Sequence, residues 1–377
     1  MGRQRSKAIP ARQIAYDSTL IPEAVNYKHL GIIQSISGKY PYDIDTVKQT
    51  IRGTFLSLSQ KVSGRSGANP NTAIKLYKTA VIPKALFGCE LWNSISIADM
   101  QQLEVAHHFC LKRAQGLPHL TRSDMVLGLA GMTSIEALID LQKLAFLGSL
   151  CHAPTGEPCH TLFILRLCQF DLCENRKIGF IPDIVKILQK YNLEDYLTTF
   201  KTNSLFPSKE KWKSVCKKAV GQHETSHWRT RLEQHKDFSL FKEVHKSLEP
   251  ATTWRVAKIR PDSLSLMKFL SRLCCKKPPE QPVLCSKCTH QHMHIEVVHA
   301  LFECPFTDSP ARLQTFIETV RPLSAPLHEH LKNVEPATLV LYLMGMIDDV
   351  IADLMPIALY PEFLINCANF LQSVLSG

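Results

Sequence analysis

Ser134-Ile135-Glu136-Ala137-Leu138-Ile139-Asp140-Leu141-Gln142-Lys143-Leu144-Ala145-Phe146-Leu147 carries the pattern on which the fold class turns. Its apolar residues Leu138, Leu141, Leu144, Ala145 and Leu147 recur at helical spacing, not at the alternation of a strand. Ser134 stands where an N-cap oxygen accepts from the first backbone N–H groups. The stripe reads as core. The same period places Ile44, Val47, Ile51, Phe55, Leu58 and Val62 on one face of residues 43–62. From Thr72 the chain is helical again through Ile74, Tyr77, Val81 and Leu86, and Pro83 should kink or interrupt it. Residues 97–115 form a long amphipathic segment with Met100, Leu103, Val105, Ala106, Phe109 and Leu111 apolar, stopped by Gly116-Leu117-Pro118. After a linker holding Pro154, Gly156 and Pro158, helical patterns resume at 161–174, 183–200 and 208–248. Residues 307–377 read as two or three apolar helices separated by prolines. Strand character is slight after residue 40 and lies mainly at the start, where Val25-Asn26-Tyr27-Lys28-His29-Leu30-Gly31-Ile32-Ile33 reads as a strand or hairpin arm closed by turn signals at Ser37-Gly38-Lys39 and Pro41. The fold class is mainly α.

The 377 residues are 45% hydrophobic and 21% charged, a balance that builds a core and excludes a wholly disordered chain. Thirteen cysteines, odd in number and scattered, exclude a secreted disulfide scaffold and suit a reducing compartment. Met1-Gly2-Arg3-Gln4-Arg5-Ser6-Lys7 leads into no apolar segment, so it is not a signal peptide. No run approaches the ~20 apolar residues of a membrane span. These features predict a soluble intracellular protein of nucleus or cytoplasm. The 44 Lys and Arg outnumber 34 Asp and Glu, for a net charge of +10. All of the basic residues precede position 333, while Glu335, Asp348, Asp349, Asp353 and Glu362 follow it. A basic body with an acidic tail suggests an anionic partner, with RNA or DNA the first candidate.

The strongest chemical signal is Cys285-Ser286-Lys287-Cys288 followed by His299 and Cys304. A CxxC turn presents two thiolates from one tight loop, and a His and a Cys from a following helix end complete a Cys3His set suited to Zn²⁺. Four protein ligands leave no open position, which predicts a structural site. His290, His292 and His294 lie inside the loop, and any one could replace His299. His299 is preferred because Val297, Val298, Leu301 and Phe302 give its helix an apolar face. Upstream, Arg255, Lys258, Arg260, Lys268, Arg272, Lys276 and Lys277 are opposed only by Asp262, with Trp254 and Phe269 interleaved. Basic residues neutralise phosphates and aromatics stack on bases, so this stretch is the candidate nucleic-acid surface.

Three segments in order resemble the region downstream of the palm in LINE-type (non-LTR) retrotransposon reverse transcriptases. Tyr27-Lys28-His29-Leu30-Gly31-Ile32 is similar to the strand just after the palm. Leu76-Tyr77-Lys78-Thr79-Ala80-Val81-Ile82-Pro83-Lys84-Ala85-Leu86-Phe87-Gly88-Cys89-Glu90-Leu91-Trp92 resembles the thumb pattern. Cys285, Cys288, Glu296, His299, Leu301 and Cys304 are similar to the C-terminal CCHC motif. The resemblance covers residues 15–150 and 280–306, whereas 151–279 and the tail match only in helical character. It implies a residual post-palm hairpin (1–40), a thumb-like helical bundle (41–150), a helical linker with the basic stretch (151–282), a CCHC zinc knuckle (283–306) and C-terminal apolar and acidic helices (307–377). The family's paired palm aspartates have no counterpart, because Asp348-Asp349 lies downstream of the cysteines in 344–354, which reads as a helix. The expectation is therefore a non-catalytic fragment that binds RNA or DNA through a zinc-dependent module. The alternative is a host helical adaptor, or a decayed remnant, acting through protein contacts of residues 337–377. There Leu339, Leu343, Met346, Val350 and Leu354 fall near helical spacing, a pattern that also suits internal core.

Overall fold

The computed structural model describes residues 15–16, 19–20, 26–29, 32–35, 43–62, 69–172, 179–235, 238–277, 281, 283–285, 288, 291–292, 296–305 and 309–376. The turn signals at Ser37-Gly38-Lys39 and Pro41, together with His290 and His294, lie outside them, as does the side chain of His292.

The chain is mainly helical, as its periodicity requires. It opens with two antiparallel pairs, β1 (Ala15–Tyr16) with β2 (Thr19–Leu20) and β3 (Asn26–His29) with β4 (Ile32–Ser35), the second in register Tyr27 to Gln34 and Lys28 to Ile33. Then come α1 (Ile44–Val62) and α2 (Pro70–Leu76), the latter capped by Asn69. Pro83 has no N–H to return to the preceding turn. The chain answers with a π turn over Tyr77–Val81, in which Ile82 N–H reaches Tyr77 O, and α3 (Ile82–Ala85) takes Pro83 into its first turn.

The segment α4 (Ile97–Gln115) matches the expected bounds and ends at Gly116, whose φ of 64° fits a residue without Cβ. Its buried face is Leu103, Ala106, His107, Cys110, Leu111, Ala114 and Gln115, and the expected core residue Val105 is 58% exposed. After α5 (Ser123–Ala130) comes α6 (Ile135–Cys151), with Ser134 Oγ accepting from Ala137 N at 3.2 Å. Leu144 and Leu147 are buried as expected, but Ala145 is exposed, and the charged Asp140 and Lys143 are buried in its place. Each is partnered from another helix: Lys143 Nζ donates to Trp92 O and Asp183 Oδ2, and Asp140 accepts from Lys190 Nζ and Tyr191 Oη.

Next are α7 (Pro158–Leu172), α8 (Phe180–Lys190), α9 (Glu194–Asn203) and the 25-residue α10 (Lys209–Glu233). Residues 208–248 are thus two helices, α10 and α11 (Ser239–Val244), followed by α12 (Thr252–Ile259) and α13 (Leu264–Cys274). A small hairpin, β5 (Val283–Leu284) with β6 (Gln291–His292), leads into one helical turn, α14 (Glu296–Val298).

The tail holds more helices than expected: α15 (Ser309–Val320), α16 (Ala325–Asn333), α17 (Pro336–Leu343), α18 (Asp349–Leu354) and α19 (Tyr360–Ser376). Pro326, Pro336 and Pro361 sit in first turns, where a missing N–H costs nothing, so prolines start helices here as well as separating them. Residues 344–354 are not one helix, because Gly345 at φ 98° breaks it and Asp348 caps α18.

Two cores divide the chain differently from the expected segments. The larger gathers α1–α5, α11–α13 and the C-terminal helices, and the smaller gathers α7–α9 with parts of α6 and α10. Residues 151–282, read as one linker, are split between them. Helix α10 joins the two through Trp212, Cys216, Val220, Glu224, Trp228 and Leu232, spaced at four. The first three belong to the smaller core and the last two to the larger. Between them, Glu224 accepts from Ser134 N and Oγ. No described helix is long and apolar enough to cross a membrane.

Candidate metal centre

Cys285 follows β5 directly, and Cys288 sits in the turn beyond it, so the hairpin delivers two thiols from one short loop. His299 and Cys304 bracket a π turn, His299–Glu303, at whose end Cys304 N–H donates to His299 O at 2.9 Å. The π turn solves a geometric problem. On an ordinary α-helix, residues five apart point about 140° from each other. An i→i+5 closure nearly completes a turn over the same five residues.

One ligand atom from each of Cys285, Cys288, His299 and Cys304 comes together, all within 4.8 Å of one another. Cys285 Sγ is 3.9 Å from Cys304 Sγ, and Cys288 Sγ is 3.4 Å from His299 Nε2. Metal–sulfur bonds of ~2.3 Å and a metal–nitrogen bond of ~2.0 Å in a tetrahedron require ligand separations of about 3.5–3.8 Å. The two closest pairs are near those separations, and the quartet as a whole is gathered within a small contraction of them. Cys288, His299 and Cys304 are buried and Cys285 is half-buried. Among the described residues no other group of Cys, His, Asp or Glu is gathered closely enough to hold a metal.

His299 turns its other nitrogen to a carboxylate, with Nδ1 3.2 Å from Glu303 Oε2. This partner escaped the sequence reading, although its i,i+4 spacing from His299 was visible. The site is anchored by Val297, Ala300 and Leu301, which enter the larger core. Phe302, expected on that apolar face, is 39% exposed.

The basic residues expected to bind nucleic acid lie on α12, α13 and the turns after them, mostly at the surface. Several are already engaged. Arg255 pairs with Glu249 at 3.0 Å, Arg260 with Asp262 at 3.2 Å, and Arg272 Nε donates to Gly116 O at 2.8 Å. Lys268 is half-buried beside Gly116, and burial together with Arg272 lowers its pKa. Lys258, Lys276 and Lys277 are exposed. The interleaved aromatics are not stacking platforms: Trp254 is fully buried, its indole N–H donating to Gln115 Oε1, and Phe269 packs against the larger core.

Asp348 accepts from Ile351 N as an N-cap and from Tyr342 Oη, so it is committed to local structure. Of the tail's apolar stripe, Leu339, Leu343 and Met346 are core, Leu354 is half-buried and Val350 is exposed. Comparison with protein-family models, with curated proteins and with solved structures returned no match.

Proposed function

We propose that the chain is a zinc-stabilised, non-catalytic nucleic-acid-binding protein, a relic of the thumb-to-knuckle region of a LINE-type reverse transcriptase. The observation that carries this reading is the convergence of Cys285, Cys288, His299 and Cys304 in a half-enclosed site, with Glu303 behind the imidazole. Three soft thiolates and one imidazole gathered within 4.8 Å favour Zn²⁺ over harder cations. When bound, zinc would supply a cross-link between the β5–β6 hairpin and the His299 turn. It would tie together a segment too short to fold on its own apolar contacts. Four protein ligands leave no coordination position for a reacting water, which supports a structural role. Asp348, spent as a cap, gives no support to a two-metal nucleotidyl-transfer site. The charge excess of the body supports RNA or DNA as partner. The adaptor reading finds less support, since most of its docking stripe is internal.

The test uses the purified full chain. Metal analysis should find one zinc per chain. Affinity for a structured RNA and for a primer–template duplex should fall steeply with salt and drop on chelation. No binding by the folded, zinc-loaded protein would overturn the nucleic-acid role. Nucleotide incorporation on the duplex with Mg²⁺ would overturn the non-catalytic one.

A further inference from the structure

A second group of exposed cations stands outside the basic stretch of residues 255–277. Lys209, Lys211, Lys213, Lys217 and Lys218 are all exposed on the first three turns of α10. None of the five side chains makes an ion pair or hydrogen bond with a described residue, and only Glu210 interrupts them. Trp212, Cys216 and Val220 hold one side of the helix against the smaller core, which leaves Lys211 and Lys218 opposite it, Lys213 and Lys217 on its flank and Lys209 at the exposed start.

The arrangement works against the helix that carries it. Lys209 and Lys211 occupy the first turn, the positive end of the macrodipole, where acidic residues are favoured. Lys209, Lys213 and Lys217 repeat at four, a repulsive spacing for like charges. Ser208 caps the helix and Glu210 offsets part of the charge in its first turn, so the lysines are tolerated there and stay available to an anionic partner.

We infer that the exposed side of the first three turns of α10, with lysines on both its flanks, is a docking ridge for the phosphate backbone of double-stranded nucleic acid, read without regard to base sequence. Nine residues separate Lys209 from Lys218, about 14 Å of helix, which spans several phosphates of one strand. A single strand would call for exposed aromatics on which bases stack. Here all four tryptophans are buried, and Trp212 and Trp228 of α10 itself face the cores. An anionic lipid surface would call for an apolar helix face free to insert. The apolar stripe of α10 is consumed by packing. The ridge rests on the nucleic-acid reading above and gives it a surface distinct from the metal centre and from residues 255–277.

The experiment measures binding of the full, zinc-loaded chain to two 20-bp duplexes of unrelated sequence, to a single strand and to phosphatidylserine vesicles, across salt. The variant replaces Lys211, Lys213, Lys217 and Lys218 by Gln, which preserves helix propensity. Circular dichroism confirms its fold. The wild type should bind both duplexes alike. The variant should lose at least ~10-fold in affinity, and its log K against log salt slope should flatten by about 3, close to 0.9 per phosphate contact. Arg255→Gln with Arg260→Gln, whose cations are already paired, should change the slope by less than about 1. A variant with unchanged slope would overturn the ridge while leaving nucleic-acid binding by the chain intact. A wild type preferring the single strand or the vesicles would overturn the duplex assignment. A wild type binding none of the nucleic acids would overturn the underlying function as well.

Discussion

His299 Nδ1 lies 3.2 Å from Glu303 Oε2, one helical turn on, while Nε2 of the same ring faces Cys288 Sγ at 3.4 Å. The carboxylate fixes the tautomer. With the proton on Nδ1 and directed at Glu303, the Nε2 lone pair is left for a metal. A carboxylate behind a ligating imidazole also raises its basicity. Glu303→Ala should therefore weaken zinc binding by about 10- to 100-fold, and Glu303→Gln, which keeps an acceptor oxygen, by less. Competition against a chromophoric chelator measures both. Equal affinities for all three proteins would show that the imidazole is oriented by packing alone.

The sequence revealed what is local and concealed what is long-range. The bounds of α4 followed from apolar spacing and Gly116, and Ser134 capped α6 as its residue type and position required. The four candidate ligands were legible because cysteine and histidine spacing carries their chemistry directly. The π turn that lets His299 and Cys304 face one point was not legible, because five-residue spacing on a helix gives no hint of it. Trp254, flanked by Arg255 and Lys258, looked like a base-stacking residue. Its environment is set by Gln115, 139 positions away. Asp140 and Lys143 fall outside the apolar stripe of Leu138, Leu141, Leu144, Ala145 and Leu147. Their burial became possible only when α8 brought Lys190, Tyr191 and Asp183 to them.

Acid should destabilise the protein through His107. This ring is fully buried, with Nε2 3.1 Å from Thr133 O and Nδ1 2.8 Å from Tyr77 Oη. A carbonyl only accepts, so Nε2 carries the proton and Nδ1 accepts from the tyrosine. Burial, aided by the neighbouring His108, pushes the pKa down from 6.5 to about 3. The unfolded chain therefore binds a proton below pH 6.5 that the folded chain refuses. The stabilising contribution is complete above that value and is lost as pH falls towards 3, at about 1.4 kcal/mol per unit. Glu104, pushed up by burial from 4.5 to about 7, acts with opposite sign between those values. A difference curve isolates the histidine. Denaturant midpoints of wild type and His107→Gln, compared from pH 7 to 4.5, should converge as pH falls. Parallel curves would show that His107 does not couple folding to protons.

Helix α10 holds the two cores together by one device used twice. Trp212 Nε1 donates to Leu144 O at 2.7 Å, and its ring lies over Gly148, four residues further along α6. Trp228 Nε1 donates to Asp124 O at 2.7 Å, and its ring lies over Gly128, four residues further along α5. In each case a missing Cβ lets the indole reach a helix carbonyl. A Cβ at Gly148 would fall 2.5 Å from Trp212 Cδ1, and one at Gly128 2.7 Å from Trp228 Cζ2. Alanine improves helix propensity by about 1 kcal/mol over glycine. Overpacking costs roughly 1–3 kcal/mol and a displaced indole hydrogen bond about 1 kcal/mol more. Gly148→Ala and Gly128→Ala should therefore lower the thermal midpoint. Gly53→Ala, on the exposed face of α1 with no heavy atom within 4 Å of its added Cβ, should raise it. That ordering, measured on the three variants together, separates close approach from propensity. If all three rise, the indoles have room to move aside, and the glycines do not position them.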